Sequence, residues 1–95
     1  MTFATIDLEI GKEDAHEIIS ESVDGLRVKS VNGSIEYRNT GGMLLAILSN
    51  ADGRNGVNAT LRYQTSVIAP FLAHGRVKAR EIRTAVEDYR TPNKH

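Results

Sequence analysis

Leu26-Arg27-Val28-Lys29-Ser30-Val31-Asn32-Gly33-Ser34-Ile35-Glu36-Tyr37-Arg38 is the stretch on which the fold turns. Asn-Gly is the strongest short hairpin signal, because both residues of a two-residue turn need positive φ. With Asn32 and Gly33 as the turn, Ser30 faces Ile35, Lys29 faces Glu36 and Val28 faces Tyr37. One face is then apolar and the other gains an opposite-charge pair. Arg27 opposite Arg38 fits less well.

Working outward, Gly41-Gly42 bends the chain before Met43-Leu44-Leu45-Ala46-Ile47-Leu48. A run this short and wholly apolar suits a strand or a helical turn. Gly42 before it and Asn50-Ala51-Asp52-Gly53-Arg54-Asn55-Gly56 after it favour a strand. Val57, Ala59, Leu61, Tyr63 and Val67 alternate with polar residues, so residues 43–67 read as a second hairpin. Upstream, Ala4, Ile6, Leu8 and Ile10 alternate with Thr5, Asp7 and Glu9, a half-buried strand. Ala15, Ile18, Ile19 and Val23 follow at helical spacing, with Glu13 and Asp14 suiting the first turn and Asp24-Gly25 the stop. Downstream, Pro70 opens a helix, and Leu72, Gly75, Ala79, Ile82, Val86 and Tyr89 form one continuous stripe that Thr91-Pro92 ends. The order is β-α-β-β-β-β-α. It predicts an α+β fold: a five-stranded antiparallel sheet with a long C-terminal helix packed across one face. The whole chain, 1–95, reads as one domain, with 91–95 a disordered tail.

Composition agrees. Of 95 residues, 40% are hydrophobic and 25% charged, which is ordinary for a globular domain. Cysteine is absent, which excludes disulfides, thiolate metal sites and cysteine nucleophiles. The N-terminus has neither a basic nor an apolar signal region, and the longest apolar run is far short of a span, so a cytoplasmic protein is the expectation. Net charge is zero but unevenly placed: residues 1–50 carry a net −4 and residues 51–95 a net +4. The plain reading sets an acidic first helix and a basic last helix on opposite sides of the domain. The alternative is a dipolar surface that steers a charged partner or self-association.

No enzymatic signature is legible. His16-Glu17-Ile18-Ile19-Ser20 begins like a zinc-binding H-E-x-x-H, but Ser20 stands where the second imidazole is needed. Asp52-Gly53-Arg54-Asn55-Gly56 lacks the Lys-Ser/Thr of a phosphate loop and reads as a hairpin turn. Glu13, Glu17 and Glu21 recur along the first helix as a solvated stripe. The serines have no recognisable base beside them. No catalytic residue, metal ligand or cofactor is expected.

Three groups are candidates for binding. Tyr37, Tyr63 and Phe71 face the gap between sheet and last helix and suit an apolar small molecule, with hydroxyls as polar handles. Leu44 and Leu48 share a strand face with Ala46. If the long helix covers only one sheet face, leucines on the other need the first helix, a second copy of the chain or a partner protein to cover them. Arg76, Arg80 and Arg83, on one flank of the last helix with Lys78 nearby, suit phosphates or an acidic partner. Zero net charge and few aromatics disfavour nucleic acid.

Ala59-Thr60-Leu61-Arg62-Tyr63-Gln64-Thr65-Ser66-Val67, then Pro70-Phe71-Leu72 and an amphipathic helix to Arg90, resembles the end of a START-like helix-grip domain. That superfamily includes the pollen-allergen and polyketide-cyclase-like proteins. The opening strand and helix, Ala4 to Ser22, resembles its beginning. The family has seven strands and two short helices after the first strand; five strands and one such helix are legible here. The resemblance implies sheet order 1-5-4-3-2 and an apolar ligand between sheet and long helix. Residues 4–48, with Gly25-Leu26-Arg27-Val28-Lys29, Ser34-Ile35-Glu36-Tyr37 and Gly41-Gly42-Met43-Leu44-Leu45, are also similar to the small dimeric accessory subunit of the tRNA-threonylcarbamoylation complex. That resemblance implies a helix after the glycines and a role beside RNA, contacted through the basic C-terminal helix. The reading as a whole is of a binding domain, for an apolar molecule or a partner protein, with the RNA-linked subunit as the alternative.

Overall fold

Asn32 at φ 50° and Gly33 at φ 84° make the tight turn that the sequence demands. They join β2 (Arg27–Val31) to β3 (Ser34–Arg38). The register is the one the turn dictates: Ser30↔Ile35, Lys29↔Glu36, Val28↔Tyr37 and Arg27↔Arg38. The computed structural model describes residues 2–50, 58–65 and 73–90, with side chains in the last stretch from residue 77 onward. The expected 50–56 turn beyond its first residue, Val67, Pro70, Phe71, Leu72 and the tail 91–95 lie outside the described residues.

The other elements are β1 (Phe3–Asp7), α1 (Lys12–Ser22), β4 (Leu44–Asn50), β5 (Ala59–Gln64) and α2 (Ala73–Ala85). All strand pairings are antiparallel, and the order is β1-β5-β4-β3-β2. Residues 44–50 are therefore a strand. The fold is α+β, with α2 packed on β4 and β5.

Two side-chain rows cross all five strands on the inner face: Val28–Tyr37–Ala46–Tyr63–Ala4 and Ser30–Ile35–Leu48–Leu61–Ile6. The first row receives both helices. His16 of α1 bonds Tyr37, and the Arg83 guanidinium of α2 lies over the Tyr63 ring. Ala15, Ile19, Ala79, Ile82 and Val86 join one core with Ile6, Leu8, Leu48 and Leu61. The acidic and basic helices are thus neighbours in a single layer, not on opposite sides. Lys78 Nζ reinforces the pairing by donating to the carbonyl of Asp24, at 2.8 Å.

Of the three covers the sequence leaves open, the first helix is the one found, and the outer sheet face is not an uncovered apolar surface. Its central row is Lys29–Glu36–Ile47–Arg62–Thr5. Around it Glu36 pairs with Arg38 at 3.1 Å, Arg62 covers Phe3, and Thr60 bonds Asp7. Leu48 goes inward and is 0% exposed under the helices, whereas Leu44 is half-buried opposite Arg38, so the two do not share one exposed patch. The register shifts between Tyr37 and Arg38, leaving Leu45 without an opposite residue. That extra residue interrupts the period of two, so Leu45 and Ala46, adjacent in sequence, are both buried.

Helix α1 begins at Gly11 without a side-chain cap, and Glu13 and Asp14 complement its positive end. Lys12 Nζ reaches the Gly33 carbonyl and ties this end to the hairpin turn. The C-terminal helix is shorter than its stripe predicts. It ends at Ala85 after 13 residues, and a 3₁₀ turn covers Glu87–Tyr89. Val86 remains core, but Tyr89 is 39% exposed. The cause is backbone capture: the Tyr89 carbonyl accepts the Glu9 N–H at 2.6 Å, and Arg90 bridges Leu8. Tyr89 thereby leaves the helical path to extend the sheet beyond β1.

Candidate functional site

The inner row places Tyr37 and Tyr63 on either side of Ala46, and their environments diverge. Tyr37 is 0% exposed. Its hydroxyl lies 2.7 Å from His16 Nδ1, and the two rings are 5.8 Å apart. Burial pushes the Tyr37 phenol well above its ordinary range, because the interior disfavours the phenolate. Tyr37 is therefore a core residue with a satisfied hydroxyl, and it borders none of the clefts found among the described residues. The hydrogen bond also gives His16 a role that the incomplete zinc pattern did not suggest.

Tyr63 is half-buried and borders a cleft of about 310 Å³ between the end of β5 and α2. Tyr63, Gln64 and Thr65 form one wall, and Arg80, Arg83 and Thr84 the other. Strand alternation puts Tyr63 beneath α2. Helical spacing brings Arg80, Arg83 and Thr84 to the same edge. Gln64 is nearly buried and donates to the Leu44 carbonyl at 3.2 Å, which fixes the floor.

Arg83 is the central group. Its guanidinium carbon is 5.9 Å from the Tyr63 ring centroid, within cation–π range. Its Nη1 pairs with Glu87 at 2.9 Å. Its Nε is buried and has no hydrogen-bond acceptor among the described residues. A buried N–H donor without a partner is uncommon and marks a place where an acceptor is missing. Arg80, exposed at the rim, adds a second positive charge.

Arg80 and Arg83 share one edge of α2, Arg83 turned inward and Arg80 exposed at the rim; Lys78 donates to the Asp24 carbonyl, and the side chain of Arg76 lies outside the described residues. Phe71, the third expected lining residue, also lies outside them. The sequence reading assigns Tyr63 to an apolar pocket and Arg83 to a basic flank, and spacing along the chain alone does not bring the two together. Pairing the inner strand row with the i, i+3 flank of the last helix is the signal that does.

Among the described residues no group of three or more His, Asp or Glu side chains is placed to hold a metal ion, and no helix is long and apolar enough to cross a membrane. Compared with known proteins, the chain matches no family model, no curated protein and no solved structure.

Proposed function

We propose that this chain is a binding domain for a small anionic molecule with a flat apolar part, held in the cleft between β5 and α2. The observation that carries the reading is the Arg83 Nε, buried beside the face of Tyr63 with no acceptor among the described residues. A carboxylate or phosphate oxygen would satisfy that donor and gain from the nearby Arg80 charge. Tyr63 offers an apolar ring surface to the rest of the ligand. The sequence reading of an apolar ligand between sheet and helix is thereby narrowed to an amphipathic anion, because two guanidinium groups border the space.

The test is a ¹H–¹⁵N titration of the full chain with aromatic carboxylates, their neutral amides and inorganic phosphate. Shift changes confined to Tyr63–Thr65 and Arg80–Thr84, with carboxylates binding more tightly than amides, support the reading. Arg83→Ala should weaken carboxylate binding by about 10- to 150-fold, corresponding to the roughly 1.5–3 kcal/mol of a charged hydrogen bond. Equal response to amides and carboxylates, or shifts elsewhere, refutes it.

A further inference from the structure

We propose that the open edge of β2 is a docking strand for an extended acidic segment of a partner protein, which adds to the sheet beyond β2. Two observations, independent of the cleft, carry this. The first is the backbone. Strand β2 ends the sheet, and four of its five residues are exposed. In a two-residue hairpin the closing pair, Val31↔Ser34, exchanges both hydrogen bonds, and bonding alternates from there. Arg27, Lys29 and Val31 therefore bond to β3, and the N–H and C=O groups of Val28 and Ser30 point away from it. The same alternation, carried across the sheet, requires that Leu8 bond to β5 and Glu9 point outward. Both do: the Leu8 N–H donates to the Ala59 carbonyl at 2.9 Å, and the Glu9 N–H donates to the Tyr89 carbonyl at 2.6 Å. The β1 edge is thus met at one end by the chain's own backbone, whereas no described strand or bridge meets the β2 edge.

The second observation is charge. Arg27 and Lys29 lie two positions apart on the outer face of β2, and both are exposed. Neither has an ion pair or hydrogen bond among the described residues. Glu36, directly across from Lys29, pairs with Arg38 instead. Lys12, Arg38, Arg62, Lys78 and Arg83, by contrast, are each held by an internal partner. On the other face of β2 stands Val28, 48% exposed at the end of the row that runs through Tyr37, Ala46 and Tyr63.

These features select the occupant. An incoming strand, parallel or antiparallel, bonds to Val28 and Ser30 and sets alternate side chains beside Arg27 and Lys29. Acidic side chains there complete two ion pairs, and apolar ones between them extend the inner row past Val28. A second copy of this chain does not fit. Pairing β2 with itself through Val28 sets Arg27 opposite Lys29, or Lys29 opposite Lys29, and cations on an edge strand oppose such pairing. Strands β3 and β4 separate this edge from β5, so the edge and the cleft are distinct sites.

The experiment is a ¹H–¹⁵N titration of the full chain with a short synthetic peptide that alternates glutamate and valine, joined to amide hydrogen exchange. Shift changes centred on Arg27–Val31, with slowed exchange at the Val28 and Ser30 amides, are the expected result. Binding should weaken at high salt, and methylating the backbone nitrogens of the peptide should abolish it. Arg27→Glu combined with Lys29→Glu should weaken it by about tenfold or more while the circular dichroism spectrum is kept, and should transfer the preference to a lysine–valine peptide. No binding, shifts centred on another element, unchanged exchange at Val28 and Ser30, or equal binding of the methylated or lysine–valine peptide by the wild-type chain overturns the proposal. An edge that takes a single-stranded RNA oligonucleotide and not the acidic peptide overturns it as well. Tyr63–Thr65 and Arg80–Thr84 are read separately in the same spectra, so the edge and the cleft can each fail without the other.

Discussion

Replacing Tyr37 with Phe removes one oxygen from the centre of the domain, and the consequence has opposite signs at neutral and alkaline pH. At neutral pH the hydroxyl holds His16 Nδ1 at 2.7 Å. Losing that bond costs about 1 kcal/mol net, the usual size for a neutral pair. In a domain of this length it lowers the Tm by roughly 4–8 °C. Above pH 10, the ordinary phenol value, Tyr37 ionises in the unfolded chain but stays protonated in the fold, because burial raises its pKa. The folded state then binds more protons than the unfolded one, so stability is intact below pH 10 and is lost as pH rises further. The loss approaches about 1.4 kcal/mol per pH unit for one proton. Tyr37→Phe has no such group, so its disadvantage should shrink and reverse at roughly pH 10.5–11. Urea unfolding followed by circular dichroism at pH 7, 9, 10 and 11 measures this, and all other titrating groups cancel in the difference between the two chains. A stability gap that stays constant from pH 7 to 11 would refute the account of a buried, protonated phenol.

Two further substitutions probe the frame. Gly33→Ala should cost about 1–2 kcal/mol purely from backbone strain, since φ is 84° and an added Cβ meets nothing within 4 Å; Asn32→Gly at the neighbouring position should be nearly neutral, and urea midpoints compare them. Leu48→Asp should abolish cooperative melting, because a fully buried side chain becomes a carboxylate in the core. Leu44→Asp, at a half-buried position beside the register shift, should keep a cooperative transition, and equal effects would show that the two positions are buried alike.

The parts of the fold legible in the sequence are those set by local rules. Asn32-Gly33 allows one turn geometry, and the turn then fixes every pair from Arg27↔Arg38 to Val31↔Ser34. Alternation from Ala59 to Tyr63 places Ala59 and Leu61 inside, where they are. What local rules could not settle is the arrangement of layers. The spacing of Ala15 and Ile19 shows that α1 has a buried side, but not which sheet face it meets. That was decided by the other face, whose row of Lys29, Glu36, Ile47, Arg62 and Thr5 carries three charges that are costly to bury. Read across strands rather than along them, those charges exclude a helix from that side. The same step relocates Leu48, which becomes core once both helices share its face. The end of α2 was hidden for a different reason. Tyr89 continues the helical stripe, and only the approach of Glu9 to its carbonyl turns the chain away.

Placing both helices on one side has a consequence for where this protein can act. The sheet uses its inner face for the core, and its outer face is occupied by internal pairs such as Glu36–Arg38 and Thr60–Asp7. Among the described residues, the buried side-chain donor without an acceptor lies on α2 instead. Among its described side chains the buried stripe is narrow, with Ala79 and Ile82, and Val86 just past its end, in the core. A small residue at position 79 lets the helix approach closely, and a narrow stripe leaves both flanks free. One flank carries Arg83 to the edge of β5, where its Nε has no acceptor among the described residues. The outward side carries Val77, an exposed apolar side chain. Neither feature contributes to the core, and each has a cost within the monomer: a buried donor without an acceptor, and an apolar side chain in water. A helix needed only to cover the sheet has no use for either, so it is on α2, rather than on either face of the sheet, that binding of a small molecule is to be sought first.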